Sequence, residues 1–250
     1  MESVYSAAGA AKTANPRYHA GMFYEPGKTS HGLPYDPFKS CVVPRPIGWI
    51  STTSASGVDN LAPYSQFQNL GFHPPMVMFS ANQDARGQRK HSVVNAETTG
   101  EFVWNMATWA QREAVNKTSE DVPGDEFEYA GLAKQPSRIV RPPRVAGSPI
   151  QFECAYVQTV RLPGNGPMGS IDVVFGRVLA VHIDDDYLTS DGKVDILKAR
   201  PLARMGYFDY TSVTEVFPLK PHGSKARVAG LEGSPEKVTA ALSDAGRDRG

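Results

Sequence analysis

A dense run of hydroxyl side chains lies in the first third of the chain and is the first candidate for chemistry. Its members are Ser51, Thr52, Thr53, Ser54, Ser56, Tyr64 and Ser65. Hydroxyls and free backbone N–H groups at a strand end can hold a phosphate or the polar edge of a heterocycle. Serine and threonine are also ordinary turn residues. The run by itself therefore leaves both a ligand site and a set of turns open.

A basic segment follows at positions 86–92, with the sequence Arg-Gly-Gln-Arg-Lys-His-Ser, after a candidate strand that ends at Ser80. We predict that a helix over Gly87–Thr99 begins in this segment. The N-terminus of a helix presents unpaired N–H groups and a partial positive charge, and both favour anions. The segment therefore indicates an anion site, with a solvated basic face as the alternative.

Other catalytic arrangements are weaker. Residues 182–186 (His-Ile-Asp-Asp-Asp) contain metal-ligand types, but they follow a strand and are expected to form its polar exit. Ser170, Asp172 and His182 do not make a convincing triad, because the Gly-x-Ser-x-Gly nucleophile elbow is missing. The sequence also lacks a Gly-x-Gly-x-x-Gly or Walker-type loop. We therefore expect neither a side-chain nucleophile nor a metal site.

Composition restricts the possible partners and compartments. In 250 residues, 26 Lys+Arg balance 26 Asp+Glu, which disfavours nucleic acid because phosphate-backbone affinity needs a basic surplus. Two cysteines, Cys41 and Cys154, are too few for a disulfide scaffold, and we expect reduced, buried thiols. Neither a signal-peptide core at the N-terminus nor a stretch of about 20 apolar residues is present. We predict a cytoplasmic protein without a membrane partner.

Short strands separated by turns dominate the rest of the chain. Strands are predicted over 47–53, 61–67, 76–80, 102–106, 152–160 and 171–183, and helices over 87–99 and 108–116. Val93, Val94 and Ala96 are expected to face the core from the first helix. In 171–183, six of the seven odd-numbered residues are apolar, which predicts that the odd side faces the core. Many strands with few helices favour a β-barrel with peripheral helices.

Turn residues and composition divide the chain. Pro163–Pro167, with the sequence Pro-Gly-Asn-Gly-Pro, predicts a hairpin loop between the two longest strands. Residues 1–20 are interpreted as a disordered or loosely attached arm, and 21–39 as an irregular covering strap. Ser234 and Pro235 can start a short helix as N-cap and N1. The predicted organisation is an N-terminal arm and strap over 1–37, a main domain over 38–217, and a flexible tail over 218–250.

Six segments, in order, resemble the flavin reductase-like family, whose domain is an FMN-binding split barrel. The segments are 44–52 (Pro-Arg-Pro-Ile-Gly-Trp-Ile-Ser-Thr), 60–67 (Asn-Leu-Ala-Pro-Tyr-Ser-Gln-Phe), 74–80 (Pro-Pro-Met-Val-Met-Phe-Ser), 89–92 (Arg-Lys-His-Ser), 99–105 (Thr-Gly-Glu-Phe-Val-Trp-Asn) and 204–207 (Arg-Met-Gly-Tyr). They cover roughly residues 38–212. The resemblance implies a Greek-key β-barrel with a few peripheral helices and a homodimer that holds FMN near the subunit interface.

The resemblance also implies roles for particular residues. The ribityl and phosphate side of the flavin would lie along Ser51, Thr52 and Thr53. The isoalloxazine edge would meet Ala62, Pro63, Tyr64 and Ser65. Ser80, Lys90 and Ser92 would close on the phosphate. Two positions depart from the family pattern: His91 replaces an Asp of a Lys-Asp-Thr motif, and His73 replaces another Asp.

The implied activity is hydride transfer from NADH or NADPH to FMN, after which a partner monooxygenase or an electron-transfer protein receives the electrons. Two alternatives remain at this point. One is an electron carrier of the flavoredoxin type, which accepts electrons from a protein donor. The other is a flavin-binding module without turnover. The residues do not decide NADH against NADPH.

Overall fold

A computed structural model of the chain describes residues 21–219 and 221–247. Within these ranges the strands are β1 (Arg45–Pro46), β2 (Gly48–Thr53), β3 (Asp59–Tyr64), β4 (Phe67–Phe72), β5 (Pro75–Asn82), β6 (Glu101–Met106), β7 (Lys134–Gln135), β8 (Arg144–Val145), β9 (Ile150–Leu162), β10 (Ile171–Ile183), β11 (Leu202–Gly206) and β12 (Asp209–Ser212). The α-helices there are α1 (His91–Thr99), α2 (Arg112–Lys117), α3 (Glu126–Ala130), α4 (Ile196–Ala199), α5 (Lys225–Leu231) and α6 (Pro235–Arg247). The mainly β architecture with few helices confirms the predicted fold class. The predicted arm over 1–20 lies outside the described residues.

Seven strands form one antiparallel sheet in the order β3-β2-β6-β9-β10-β5-β4. Strands β3 and β4 lie at opposite edges of that order, yet only Ser65 and Gln66 connect them in the chain. Two residues cannot span a flat seven-stranded sheet, because adjacent strands are about 4.8 Å apart. The sheet must therefore curl until its edges approach, and the backbone N–H of Ser80 in β5 donates to the Gln66 carbonyl at 2.9 Å. The result is a barrel closed through the β3–β4 connection. The predicted strand 61–67 is thus two strands that turn at this corner.

Strand β2 is buried along its whole length, because both of its faces are covered. Ile50 points into the barrel core with Phe79 and Phe102, while Trp49 belongs to a second core with Phe127. The second core is closed by α2, α3 and β8. Strand β2 therefore lies between two apolar layers, and its polar side chains must find partners inside the protein.

A second, three-stranded sheet has the order β1-β11-β12. It joins a strand just before β2 to a hairpin near residue 205. Arg45 on β1 lies directly across from Arg204 on β11. The tertiary fold thus places two segments that are far apart in the sequence side by side.

Helix α1 is shorter than predicted and begins at His91, not at Gly87. The Asp84 carboxylate accepts the N–H groups of Arg86 and Gln88, and Gly87 has φ +79°, so these residues form a turn. The helix ends at Gly100 in the left-handed conformation, as is common for a C-terminal glycine. Val93 and Ala96 are buried as expected.

Val94 is 40% exposed, which corrects the prediction that it faces the core. A helix turns about 100° per residue, so Val93 and Val94 do not point in the same direction. Val93 packs into the barrel core.

The hairpin of β9 and β10 confirms the loop predicted at Pro163–Pro167, but the prediction for the odd face of β10 is wrong. Val174 and Asp172, at even positions, are buried, whereas Val181 is 52% exposed. Two contacts explain the burial of the even face. The Phe102 ring fills the space beside Gly176, and the buried Asp172 is paired with Arg89 and Arg161. Apolar alternation alone does not identify which face an antiparallel strand buries.

The C-terminal segment contains more structure than the predicted flexible tail. Helix α6 begins at Pro235 with Ser234 before it, as predicted, but α5 precedes it and the two helices pack on each other. Gly233, between them, lies close enough to β4 that an added Cβ would stand 3.4 Å from Phe72 Cβ. Among the described residues, the helices are all too short or too polar to traverse a bilayer.

Candidate functional site

Two adjoining cavities lie beside β3 and the start of α1. The smaller, of about 120 Å³, is lined by the end of β3, the 84–92 segment, the loop after α2 and the first residue of α3. The larger, of about 940 Å³, is lined by the strap, β1, the β3–β4 corner and the β11–β12 hairpin. Pro63 and Ser119 contribute to both cavities, so the two cavities adjoin.

The structure brings five of the ten predicted site residues to the smaller cavity. These are Ala62, Pro63, Tyr64, Lys90 and Ser92. Ser65 lies at the larger cavity, and its hydroxyl is within 3.4 Å of Gln66 Oε1. Segments separated in the chain by β4 and β5 therefore converge on one concave region, which corresponds to the central part of the predicted site.

Ser51, Thr52 and Thr53 line neither cavity, which corrects the expectation that they face a ligand directly. All three are buried, and each hydroxyl is engaged inside the protein. Ser51 Oγ donates to the Pro143 carbonyl at 2.5 Å, and Thr53 Oγ1 donates to Asp59 Oδ1 at 2.7 Å. The reason is the double coverage of β2, which leaves its side chains no path to a surface groove.

Thr52 instead helps to position helix α1. Its Oγ1 donates to Asn60 Oδ1 at 3.3 Å and accepts from Asn95 Nδ2 at 3.1 Å. Asn60 Oδ1 also accepts from Ser92 Oγ at 2.7 Å. The network ties the first and second turns of α1 to β2 and β3. The N-terminus of α1 is therefore held at the smaller cavity by buried hydrogen bonds.

Ser80 lies on the outer face of the sheet and lines neither cavity. It is the cross-strand partner of Val173, which is in turn the partner of Val160. Side chains of directly paired residues lie on one face of a sheet. Ser80 is half-buried there, so the structure does not bring it together with Lys90 and Ser92.

The charges of the smaller cavity are mixed. Arg89 is neutralised, because its guanidinium bonds to Glu97 and, at 2.9 Å, to Asp172. Glu97 is the main reason that the pKa of Arg89 lies above its usual range. Lys90 makes no ion pair with the described residues. The predicted basic cluster is thus reduced at the cavity to one unpaired cation, Lys90.

Carboxylates also line the smaller cavity. They are Asp84, Glu120, Asp121 and Glu126. Glu126 is buried and accepts the Leu61 N–H at 3.0 Å, and Glu120 accepts the Tyr129 hydroxyl. These donors satisfy oxygens of Glu126 and Glu120, and the turn before α1 satisfies Asp84, but the carboxylates keep their negative charge.

Tyr64 remains a neutral phenol at any ordinary pH. Burial raises its pKa well above the usual range, which outweighs the opposing hydrogen bond with Ser92, and the charge of Glu126 raises it further. A neutral hydroxyl can donate or accept at the cavity surface. Tyr64 therefore adds a hydrogen-bonding group without adding charge.

The larger cavity combines aromatic and cationic side chains. Tyr35, Tyr207, Phe208 and Tyr210 supply the rings, and Lys39, Arg45 and Arg204 the positive charges. Asp36 is the acidic residue of this lining, and Asn82 of β5 borders it. Arg45 and Arg204 lie within the segments that resembled the family, but the sequence carried no sign that they meet.

The remaining candidates for chemistry are the Ser170, Asp172 and His182 set and the two cysteines. His182 Nε2 is 2.5 Å from Glu153, and Asp172 bonds to Arg89 and Arg161, so the structure agrees that Ser170, Asp172 and His182 form no triad. Both cysteines are free, Cys154 buried as expected and Cys41 exposed, contrary to the prediction. Burial raises the pKa of the Cys154 thiol and leaves it unreactive.

The amino-acid sequence of this chain is similar to those of known proteins. Residues 40–202 match the sequence pattern of the flavin reductase like domain. A protein from Halalkalibacterium halodurans described as uncharacterized is 34% identical over 200 residues, which is 79% of this chain and 95% of that protein.

Two solved structures show the same architecture. Nitrilotriacetate monooxygenase component B from Bacillus cereus has a TM-score of 0.73 and 27% identity, covering 81% of this chain and 100% of that chain. An FMN-binding domain of a flavin reductases-like enzyme from Shewanella baltica has a TM-score of 0.56 and 18% identity, covering 70% and 89%. The second likeness concerns the fold alone.

Proposed function

Because the chain belongs to the flavin reductase-like family of split-barrel flavoproteins, we propose that it is an oxidoreductase that transfers hydride from NADH or NADPH to FMN. The observation that carries the proposal is the pair of adjoining cavities, the smaller of which lies at the N-terminus of α1. One has the size and donors for an anionic group, and the other has the size and aromatic lining for flat rings.

The residues present fit FMN. Small-molecule sites typically occupy about 300–1,000 Å³, and the larger cavity, at about 940 Å³, lies in that range. The smaller, at about 120 Å³, suits a phosphate and not a ring system. Its donors are the Lys90 ammonium and the first N–H groups of α1, which have no partners within the helix. The Ser92 hydroxyl borders the same cavity, but its hydrogen is donated to Asn60, so it would hold the start of α1 in place. We place the phosphate at this end.

The end of β3 and the β3–β4 corner would then border the flavin ring. Ala62, Pro63 and Tyr64 lie at the smaller cavity, and Pro63 and Ser65 at the larger one. This segment can offer backbone groups and two hydroxyls to a heterocycle edge. Ser51, Thr52 and Thr53 would act from behind, by holding β2, β3 and α1 in register.

When bound, FMN supplies the chemistry, which is hydride acceptance and onward electron transfer. The protein would bind the cofactor, orient it and limit the access of water to it. This division of labour requires no side-chain nucleophile. It agrees with the absence of a triad among the described residues.

We also propose that the protein is a homodimer. The apolar residues that define a β9–β10 patch on the outer face are Val160, Leu162, Ile171 and Val173. Val160 and Leu162 are 40% and 47% exposed. Ile171 pairs with Asn82, which borders the larger cavity, so the patch adjoins the cavity. A second copy on this patch would cover apolar surface and close one side of the cavity.

A partner monooxygenase is the proposed recipient of the electrons. The Bacillus cereus protein of similar structure is component B of a monooxygenase, which favours a comparable division of labour here. An electron-transfer protein is the alternative recipient.

The test begins with the protein as purified. Denaturation should release FMN, and the protein stripped of flavin should bind added FMN. The FMN-loaded protein is then mixed with NADH or NADPH without oxygen, and the absorbance of oxidised flavin is followed. We expect rapid bleaching with at least one of the two nucleotides.

Two results would contradict the proposal, at different levels. Bleaching by dithionite but by neither nucleotide excludes hydride transfer and leaves the flavoredoxin-type electron carrier or a flavin-binding module. Failure of the protein to bind FMN excludes all three flavin functions.

A further inference from the structure

A second group of charges lies at the larger cavity, away from the proposed phosphate end. Arg45 and Arg204 are direct cross-strand partners on β1 and β11, and both line the cavity. Directly opposed residues have Cβ atoms about 4.5–5.5 Å apart, and like charges in such pairs repel. A protein tolerates this arrangement best where an anion can bind between the two charges.

The two guanidinium groups lack a counter-ion among the described residues. Neither forms an ion pair with a carboxylate in residues 21–219 and 221–247. Asp36 borders the cavity, but its carboxylate accepts the Phe38 N–H at 2.9 Å. Lys39 adds a third cation to the lining. The cavity is therefore locally basic, although the whole chain is neutral.

Arg45 also carries a buried donor without a partner. Its Nη1 donates to the carbonyls of Lys39 and, at 3.0 Å, Val42, whereas its buried Nε has no hydrogen-bond partner in the part of the chain that the structure describes. Buried polar atoms are seldom left unpaired, because each costs the free energy of its lost hydration. Burial and then the charge of Arg204 lower the pKa of Arg45. An anion at this position would relieve the unpaired donor and the repulsion together.

Arg204 is held in a fixed plane beside aromatic rings. Its guanidinium carbon lies 4.4 Å from the ring centroid of Tyr210, and its Nη2 donates to the Tyr207 carbonyl. Tyr207 has φ +45°, a left-handed conformation that is uncommon for a residue other than glycine, and its ring contacts Tyr35 edge to face. Phe208, 91% exposed, follows at the cavity mouth. The rings are thus arranged next to the arginines, where a flat ligand can contact both.

We propose that Arg45 and Arg204 form a receptor for the oxyanion of a second, aromatic ligand that binds beside the flavin. Arginine forks match phosphate and carboxylate groups bidentately. The same chemistry can come from two sources, the phosphate of a pyridine nucleotide or the carboxylate of an aromatic acid that accepts electrons. The nucleotide source rests on the proposed function, whereas the anion site itself does not require flavin.

Calorimetric titration tests the receptor directly, with NADP⁺, NAD⁺ and benzoate as probes. Each probe is titrated into the FMN-loaded and the FMN-free protein, so that loss of flavin binding and loss of anion binding are measured separately. We expect Arg204→Met to weaken at least one probe roughly 10- to 100-fold, the effect of a charge-assisted hydrogen bond. Arg204→Lys keeps the charge but loses the forked guanidinium, so its affinity for that probe should lie between those of wild type and Arg204→Met.

The variants have matched controls. Arg200→Met removes another arginine that has a buried, unpartnered Nε and lies 5.1 Å from the Trp109 ring, but that lines neither cavity. It should leave all three probes unaffected. Arg45→Met should resemble Arg204→Met, and thermal denaturation shows whether it is folded. Should Arg45→Met not fold, Arg204→Met decides alone.

Each outcome has a defined meaning. Arginine-dependent binding of NADP⁺ or NAD⁺ supports the receptor and assigns it to nucleotide phosphate, and arginine-dependent binding of benzoate assigns it to a carboxylate. If either result is obtained and the protein does not bind FMN, the receptor is still supported, but the proposed flavin-dependent function is excluded. The receptor is overturned when no probe binds or Arg204→Met binds as wild type. It is equally overturned when Arg204→Met loses FMN affinity, because the pair would then hold the flavin itself.

Discussion

The chemistry available to a residue depends on what already satisfies its polar atoms. Thr52 and Lys90 illustrate the contrast, because both were predicted to contact the flavin. Thr52 uses its hydroxyl within a buried network with Asn60 and Asn95. Lys90 borders a cavity without an ion pair in the described part of the chain. A ligand can gain little from the first residue and a full charge-assisted contact from the second.

Lys90→Ala should weaken FMN binding roughly 10- to 100-fold, because one charge-assisted contact to the phosphate is lost. Fluorescence titration of the flavin-free protein measures the dissociation constant. The fold should be unaffected, because the Lys90 side chain makes no hydrogen bond with a described residue.

Arg86→Ala is the matched control for that titration. Arg86 is exposed in the same turn and does not line the smaller cavity. Lys90 would be an ordinary surface residue if Lys90→Ala left the FMN affinity unchanged, or if Arg86→Ala lowered that affinity equally.

Glu153 is a buried charge with a structural role. Burial alone would raise its pKa, but the Arg138 N–H, His182 and the N–H groups of Val140 and Ile139 lower the pKa to about 2. The donors lie at 2.5–3.0 Å and attach the 138–140 segment to β9. The carboxylate therefore acts as a clamp for a loop that passes over the sheet.

Glu153→Gln should lower the free energy of unfolding by roughly 2–4 kcal/mol near pH 7, in keeping with the depressed pKa. The folded carboxyl binds fewer protons than the unfolded one between pH 4.5 and about 2. The contribution of Glu153 is thus complete above pH 4.5 and disappears as the pH falls through that interval. Urea unfolding of wild type and variant at several pH values measures the difference.

Glu101→Gln provides the comparison, since Glu101 lies on the neighbouring strand and pairs with Arg141, 60% of whose side chain is exposed. It should cost at most about 1 kcal/mol, as exposed pairs do. Equal effects of the two substitutions would contradict the clamp.

At the scale of elements, the coverage of a strand decides what its side chains can do. Strand β2 lies between two cores, and its serine and threonines are therefore internal. Strand β10 shows the reverse effect. Its apolar odd positions point outward, and its even face accommodates Phe102 against Gly176. In both strands a neighbouring element, and not the strand's own pattern, determined the outcome.

Gly176→Ala should destabilise the protein by about 1–3 kcal/mol through overpacking. The new Cβ would overlap the ring of Phe102, which is fully buried, and would stand 3.3 Å from the Ala155 carbonyl oxygen. Neither neighbour can move without disturbing the barrel core. Chemical denaturation measures the loss.

Gly71→Ala is the control on β4, where an added Cβ meets only the Pro74 carbonyl oxygen at 3.6 Å. This variant should remain within about 0.5 kcal/mol of wild type. If Gly176→Ala were as stable as wild type, the Phe102 ring would be able to move away from the added methyl group, contrary to what its complete burial indicates.

At the scale of the whole molecule, barrel closure and the three-stranded sheet create the cavities. Closure through Ser65 and Gln66 places the β3–β4 corner at the larger cavity, and pairing of β1 with β11 adds the basic and aromatic side of that cavity. The outer face retains the exposed β9–β10 patch next to Asn82. Assembly and ligand binding are therefore expected to be coupled.

Leu162→Glu should convert the proposed dimer to a monomer, because a charge would be placed in a buried apolar contact. Sedimentation velocity measures the mass, and the same sample should retain less FMN because one side of the cavity is opened. Leu197→Glu is the control, since Leu197 on α4 is 45% exposed but outside the patch. A monomeric wild type, or a Leu162→Glu variant that remains dimeric, would contradict this interface.

The sequence by itself determined the class of fold, the order of the main strands, the hairpin loop at Pro163–Pro167 and the family. These features depend on local signals, such as turn residues, β-branched runs and motif order, which act over a few neighbouring residues. The sequence also predicted Pro63, Tyr64, Lys90 and Ser92 as site residues, because each lies in a short motif, and the structure brings these four residues to one cavity.

Only the tertiary structure decided which polar groups are free to bind. Burial of β2, neutralisation of Arg89 and the approach of Arg45 to Arg204 all depend on contacts between segments far apart in the chain. A residue's type states which bonds it can make, but the packing of distant elements determines which bonds are already made. That is why Ser51, Thr52 and Thr53 became internal support, while an arginine pair without a sequence signature became the candidate for a second ligand.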